Sequence, residues 1–385
     1  MSWERQKITI TAEPEEPSTM LWLMACLVAI ITGVLLFVLH TNQFLGTLQK
    51  FNLWIVAGSP LFLWLVIICL RSWLYNHAMD KHQFESDEAE YAQQQWTNWA
   101  GRYLAVLYSR VILPAELTPA RFIQSPAELE QSNALGKRIA LPLGENVFSA
   151  LLGGLEESLI QLCADLPFGV TLLTDASDPE DHLQKAFSAA WIQHFGLTLS
   201  APFLTILNTR SFSSVEERIK TPALDVELLL IHQMQGGDVY SDALAALLLT
   251  SDDVATKYHF GHHARLLRPM SIEPAEDLSQ AFDTFLSIQS QAIKTDVLLG
   301  DDTAWGKVFS TLLGSAKNYE GHWKPHQCHW LEEYAGRSGP FSPWIMAAVA
   351  SDIVALTGNC LMLSDDKKQR FMNTVTTGEQ TNGKG

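Results

Sequence analysis

Cysteine and histidine offer the widest chemistry in this chain, since a thiolate is a nucleophile and a metal ligand and an imidazole is a base and a ligand. There are 5 cysteines and 12 histidines. Cys163 falls among Leu159, Leu162 and Leu166, a setting that reads as an apolar helix and makes it a core thiol. His322, His326, Cys328 and His329 crowd into one short stretch. Zinc takes such ligands tetrahedrally, usually in a two-plus-two spacing. That spacing is missing, and Trp323, Pro325 and Trp330 point to a packed aromatic loop, so no metal is expected. Asp252-Asp253, Asp301-Asp302 and Asp365-Asp366 could act as paired acids, but adjacent acids read first as solvated turn and helix-cap residues. His259 to His263 reads as a polar surface loop. Gly153-Gly154 sits inside a helical pattern with no following Lys, so no phosphate-cradling loop is present, and no Gly-x-Ser-x-Gly elbow occurs. No catalytic residue, cofactor or metal is therefore assigned from the residues alone.

The formal net charge is −16 and falls in the soluble part. With no basic stripe, this balance argues against nucleic acid and anionic lipid as ligands. The cysteines show no framework spacing, as expected of reduced, cytoplasmic material.

The elements that must position these groups begin with two uncharged apolar runs, Met20 to Leu39 and Leu53 to Leu70. A bilayer core of about 30 Å needs roughly 20 apolar residues as helix. The first run is too long for a signal peptide, and Glu4, Glu13, Glu15 and Glu16 spoil a basic leader. The second is interrupted at Gly58-Ser59-Pro60 and could instead dip or pack, but Trp54, Trp64, Trp73 and Arg71 bracket it as at a membrane interface. Arg5 and Lys7 precede the first run, Arg71 and Lys81 follow the second, and the loop between them carries only Lys50. The positive-inside rule then places both termini and the large domain in the cytoplasm of a bacterial cell, on a multi-pass inner-membrane anchor. A periplasmic domain is the outcome if the hairpin fails.

Residues 72–112 read as one long helix leaving the membrane, with Tyr91, Trp96, Trp99, Tyr103, Leu104 and Leu107 at three- and four-residue spacings. It either packs on its own domain or meets a partner; with no basic face for lipid, the first fits better. Beyond it, apolar strands are expected at Arg138 to Leu143, Val170 to Leu173, Phe203 to Leu207, Val226 to Ile231, Ala243 to Leu249, Asp296 to Leu299 and finally Cys360 to Leu363. Helices are expected at Asn146 to Leu162, Asp181 to His194, Asp277 to Ala292, Thr303 to Leu313 and Pro343 to Leu356. A Gly236-Gly237-Asp238 turn suits an antiparallel pair. Alternating strands and helices define an α/β domain with its sheet covered on both faces.

Three stretches carry a resemblance. Gly237-Asp238-Val239-Tyr240-Ser241-Asp242 running into Ala243 to Leu249, then Asp296 to Asp302 with Trp305, then Gly336-Arg337-Ser338-Gly339 followed by Pro343 to Leu356 and Asn359 to Leu363, resemble the β-ketoacyl synthases. The resemblance covers 137–365 and implies a thiolase-like fold with mixed sheets. Such synthases need a cysteine nucleophile on a strand-to-helix elbow and two histidines that stabilise developing negative charge. Asp301-Asp302 and Gly336-Arg337 stand where histidines are expected, and Cys163 is not on an elbow. The resemblance thus implies a domain that has lost its chemistry and can act as a rigid interaction scaffold.

The layout of an N-terminal two-helix anchor with a large cytoplasmic domain also resembles accessory inner-membrane proteins of bacterial type VI secretion systems. The expected organisation is a tail (1–19), a transmembrane hairpin (20–71), a membrane-proximal helix and linker (72–136), the thiolase-like α/β domain (137–365) and an unstructured tail (366–385). The expected function is a non-catalytic scaffold with protein partners, contacting them through the aromatic residues Trp96, Trp99 and Tyr103. The alternative is a membrane-bound acyl transferase or condensing enzyme served by acyl carrier protein, with Cys163 or Cys328 as nucleophile beside His322, His326 or His329.

Overall fold

The computed structural model describes residues 3, 9–44, 46–124, 129, 136–141, 146–163, 166–196, 200–273, 276–321 and 323–379. The chain divides into two compact units, Glu4–Gln95 and Met1–Trp3 with Trp96–Gly385. Of the expectations above, His322, the outer part of the Arg138 to Leu143 strand and the end of the C-terminal tail lie outside the described residues.

The first unit is a helical hairpin. Helix α1 (Thr19–Thr41) and helix α2 (Leu53–Gly101) both contain stretches long and apolar enough to cross a membrane. Their mean hydropathies are 2.7 and 2.4, and Leu21, Leu27, Ile31, Leu63 and Ile67 face outward. A helix that is apolar all round with exposed side chains is unsuited to water and suited to hydrocarbon. The two helices touch through small residues: a Cβ on Gly33 would lie 2.7 Å from the Ala57 carbonyl oxygen, the close approach that small residues permit between apolar helices. Trp64 Nε1 also donates to the Trp22 carbonyl at 3.3 Å. Pro60 lies within α2 without ending it.

The long helix stops at Gly101, not at residue 112. Tyr103–Ile112 is a strand, β1. The helical spacing of Tyr103, Leu104 and Leu107 was misleading because a short apolar run fits either period. Here Leu104 and Val106 point into one core and Ala105 and Leu107 into another. That two-faced burial, together with the β-branched Val106, Val111 and Ile112, suits a central strand.

After β1 come three short helices, α3 (Pro119–Gln124), α4 (Val147–Leu152) and α5 (Glu156–Ile160). Asn146 caps α4 by accepting from Phe148 N at 3.1 Å. The single helix expected over Asn146 to Leu162 breaks at Gly153-Gly154, where Gly154 adopts φ 87°, a left-handed backbone that favours glycine. Residues 136–141 form no ladder strand. They are held by long-range bonds, Lys137 N to Ser241 Oγ (3.0 Å) and Ile139 N to Asp242 Oδ2 (3.1 Å).

The remaining elements are β2 (Phe168–Thr174), α6 (Glu180–Phe195), β3 (Leu204–Leu207), α7 (Ser214–Lys220), β4 (Val226–Gln233), β5 (Ala243–Ser251), α8 (Asp252–Tyr258), β6 (Ala264–Leu267), β7 (Met270–Ile272), α9 (Leu278–Ile288), β8 (Val297–Gly300), α10 (Ala304–Lys317), β9 (Cys328–Trp330), α11 (Glu332–Ala335), α12 (Ser342–Thr357), β10 (Cys360–Asp365) and β11 (Arg370–Thr377). The sheet runs β3-β2-β4-β5-β1-β6-β11-β10-β8-β9, with β7 on β11. It is mixed: β2 pairs parallel with β3 and β4, and β8 pairs parallel with β9 and β10. The pairs β4–β5, β1–β5, β1–β6, β6–β11 and β10–β11 are antiparallel. The Gly236-Gly237-Asp238 turn joins β4 to β5 as expected.

Helix α12 is apolar on every side, and from Ser342 to Val354 only Asp352 escapes full burial. It packs against β1, β5, β6, β8, β10 and β11 on one face of the sheet. On the other face α4 and α6 cover the β1–β5 half, while α9 and α10 cover the β7, β8, β10 and β11 half. The expected class, α/β with a mixed sheet clad by helices behind two apolar N-terminal helices, is what the chain adopts.

Strand β11 corrects the C-terminal end. Residues 366–385 were expected to be an unstructured tail, yet Arg370–Thr377 pairs with β6, β7 and β10. Its polar Asn373, Thr374 and Thr376 are buried, so their polarity concealed a core strand. Phe371 is fully buried with its ring 5.6 Å from that of Phe212. Phe371→Ala is therefore expected to destabilise the protein by about 3–5 kcal/mol, read as a lower urea midpoint for the full-length protein in detergent; an unchanged midpoint would mean that β11 is dispensable.

Candidate functional site

A cleft of about 360 Å³ opens where the head of β8, the loop before α12 and the β10–β11 turn converge. It brings together two of the loops that the sequence singled out, Asp301-Asp302 and Gly336 to Gly339, and adds Glu332, Asp365 and the Lys367 to Arg370 turn.

Asp301 is the anchor of this cleft and is fully buried, not the solvated turn residue expected. Its Oδ1 accepts from Trp305 Nε1 at 2.9 Å. Its Oδ2 accepts from Ser342 Oγ at 2.7 Å and from Asp365 N at 2.9 Å. The Asp301 carbonyl accepts from Ser338 Oγ at 2.7 Å. Burial pushes the Asp301 carboxyl up to about 7, against the downward pull of these donors.

Asp302 accepts from the amide of Ala304, the first residue of α10, at 2.6 Å, a turn bond just ahead of the helix. Burial raises its pKa, and neighbouring Glu332 adds to the rise. Burial also acts to raise Glu332, but the Thr303 hydroxyl (2.7 Å) and amide (2.9 Å) donate to its Oε2 and hold it below the usual range. On the opposite wall Arg370 lies 3.5 Å from Asp365 and over the Trp305 ring at 5.7 Å. Lys367 lies over the Tyr240 ring at 5.7 Å. The sequence reading missed Glu332 and the basic turn, because the polar run from Asp365 onward reads as the start of a tail.

The other candidates lie elsewhere. No cysteine lines the cleft among the described residues. Cys163 is exposed, contrary to the core thiol expected, because the glycine break after α4 redirects the chain. The Cys328 thiol bonds the Lys324 carbonyl at 3.5 Å, and burial pushes it up to about 12, away from the reactive thiolate. Cys360 is buried in β10 and its thiol is pushed up for the same reason. His326 is exposed, while His329 is buried edge-on to Phe122 with centroids 5.6 Å apart, and burial lowers its pKa. His262 is buried rather than superficial, stacked on Tyr103 at 5.8 Å.

Trp96, Trp99 and Tyr103 do not line the cleft. Trp96 meets Trp99 edge-on at 5.5 Å. The Arg268 guanidinium lies 4.2 Å from the Trp99 ring, and that of Arg265 lies 4.8 Å from the Tyr103 ring. All three are half-buried.

A second polar cluster joins β1, α12 and the residue before β6. Ser109 Oγ bonds both His263 Nε2 (2.8 Å) and Asp352 Oδ1. Burial lowers His263 to about 4 and raises Asp352 to about 6. In an activated serine the imidazole sits between hydroxyl and carboxylate. Here the hydroxyl is in the middle, and the cluster couples β1, α12 and the residue before β6.

No protein-family model matches the chain. No curated protein matches it either. Among solved structures it is similar to a chain from AntDE:AntF, a type II polyketide synthase acyl-carrier protein in complex with its ketosynthase, at 11% identity and TM-score 0.49, covering 71% of this chain and 99% of that one. It is similar also to OleA of Xanthomonas campestris with bound acetamide (11%, TM-score 0.41, 72% and 99%). A third similar structure is the priming β-ketosynthase of the R1128 polyketide pathway (12%, TM-score 0.42, 73% and 97%).

The folded carboxyl of Asp301 titrates near 7, against 3.8 for the free group. The folded state therefore holds a proton that the unfolded state has lost, and this contribution to stability fades as pH rises from about 4 to about 7. Asp301→Asn is expected to flatten the fall of the urea midpoint over that window. An identical slope in the wild type and the variant would show that Asp301 does not titrate there.

Proposed function

We propose that this chain is a membrane-anchored, non-catalytic interaction protein, an accessory component of a bacterial type VI secretion assembly. The observation that carries the loss of catalysis is Asp301. A side chain at the head of β8 that acted on a substrate would need a free lone pair or proton facing the cleft. Asp301 is instead fully buried, and its oxygens accept from Trp305, Ser342 and Asp365. The cleft supplies no thiol among its described residues, and Cys328 and Cys360 are held as neutral thiols.

Anchoring rests on the exposed apolar faces of α1 and α2. The inner-membrane setting, with both termini cytoplasmic, rests on the basic residues flanking those helices. The net charge of −16 disfavours nucleic acid as a partner. The secretion context rests on the architecture of a two-helix anchor with a large following domain.

The test is affinity purification of the full-length, detergent-solubilised protein from its native host, followed by mass spectrometry. Membrane components of a secretion assembly are expected in the eluate. Incubation with acyl-loaded carrier protein is expected to leave the intact mass unchanged. An acyl adduct on Cys163 or Cys328, with carrier protein as the sole co-purifying species, would overturn the proposal in favour of an acyl transferase.

A further inference from the structure

Trp3 precedes both apolar helices, yet it belongs to the same compact unit as the α/β fold that follows them. Its indole Nε1 donates to the Pro269 carbonyl at 3.2 Å. Its ring meets Trp99 edge-on at 5.2 Å and lies 5.6 Å from Phe285. The ring also packs against the core that includes Met270, Phe282 and Leu286.

The notch is built by the fold itself. Arg268 is almost wholly buried and stacks on Trp99. Its Nε donates to the Trp99 carbonyl at 3.1 Å, and its Nη1 lies 3.5 Å from Glu216. Gln289 donates to the Ala100 carbonyl (3.0 Å) and the Arg268 carbonyl (3.2 Å), fixing the same corner. An aromatic wall on two sides with one carbonyl acceptor is the complement of an indole, which offers a flat apolar body and a single donor.

We infer that this notch is a binding site for an indole side chain and that its resident ligand is Trp3 of the same chain. The clasp has a topological consequence. A hydrocarbon core is about 30 Å thick, so the segment before α1 cannot reach Pro269 if the two lie on opposite faces of a membrane. The chain between them crosses an even number of times. With α1 and α2 both apolar and outward-facing, both cross, and the interrupted second segment spans the bilayer instead of dipping into it.

The experiment uses the full-length protein in native membranes. A photoreactive benzoylphenylalanine replacing Trp3 is expected to crosslink within the monomer to a peptide containing Trp99, Pro269 or Phe285. Crosslinks found only to lipid, to a second copy or to another polypeptide overturn the clasp. A second readout does not depend on how the notch tolerates the probe. Ile10→Cys and the native, exposed Cys163 are expected to react with a membrane-impermeant maleimide from the same face, read by peptide mass spectrometry. Reaction from opposite faces overturns the paired crossing and the clasp with it.

Discussion

The carboxylate of Asp301 is the point on which the cleft side of the fold depends. It gathers donors from α10 (Trp305), α12 (Ser342) and β10 (Asp365), while its backbone carbonyl takes Ser338 from the glycine-rich loop. A buried carboxylate with no donors is very unfavourable, because it exchanges water for a medium that cannot solvate charge. Three donors offset much of that penalty, and they do so only if α10, α12 and β10 hold one mutual arrangement. The requirement is directional in a way that the surrounding apolar core is not. Leucine and alanine packing would bring α12 against the sheet in several registers, whereas the bond from Ser342 selects one.

This dependence also clarifies what the cleft can do. Three of the lone-pair sites of this carboxylate are taken by donors from α10, α12 and β10. The acids that retain exposure, Asp302 and Glu332, are committed as well, to the start of α10 and to Thr303. The groups left facing solvent are Arg337, Lys367 and Lys368, which make no salt bridge among the described residues.

Much of the architecture was legible from local patterning. The Val170 to Leu173 and Ala243 to Leu249 strands, the Asp181 to His194 helix and the Pro343 to Leu356 helix are long, uniformly patterned and bounded by turn residues. What failed did so for identifiable reasons. Residues 103–112 carry aromatics and leucines at spacings that a helix and a two-faced strand share, and the choice was made by long-range pairing with β5 and β6. Strand β11 looked like a tail because Asn373, Thr374 and Thr376 are polar. Thr374 is accommodated by its bond to Gln289 Oε1 at 2.5 Å, a partner more than eighty residues away in sequence. At the site, the two loops were legible from their glycine and aspartate content, but the burial of Asp301 was not. Nothing local to Asp301-Asp302 distinguishes a solvated turn from a buried node; the distinction is made by Ser342 and Asp365, contributed from α12 and β10.

The charge distribution carries the same lesson to the level of function. A chain with net charge −16 repels anions on average. Within a Debye length, about 8 Å at physiological ionic strength, the local arrangement outweighs that average. Around the cleft, Asp365 is offset by Arg370 at 3.5 Å, and Asp301 is partly neutralised by burial. Arg337, Lys367 and Lys368 then stand exposed at a cleft that Asp302 and Glu332 also line, a rim of mixed charge on an acidic protein. Under the proposed reading, such a rim favours a partner surface of complementary mixed charge at short range, while the net charge resists indiscriminate association at long range. Opposing fields at two distances give selectivity of encounter.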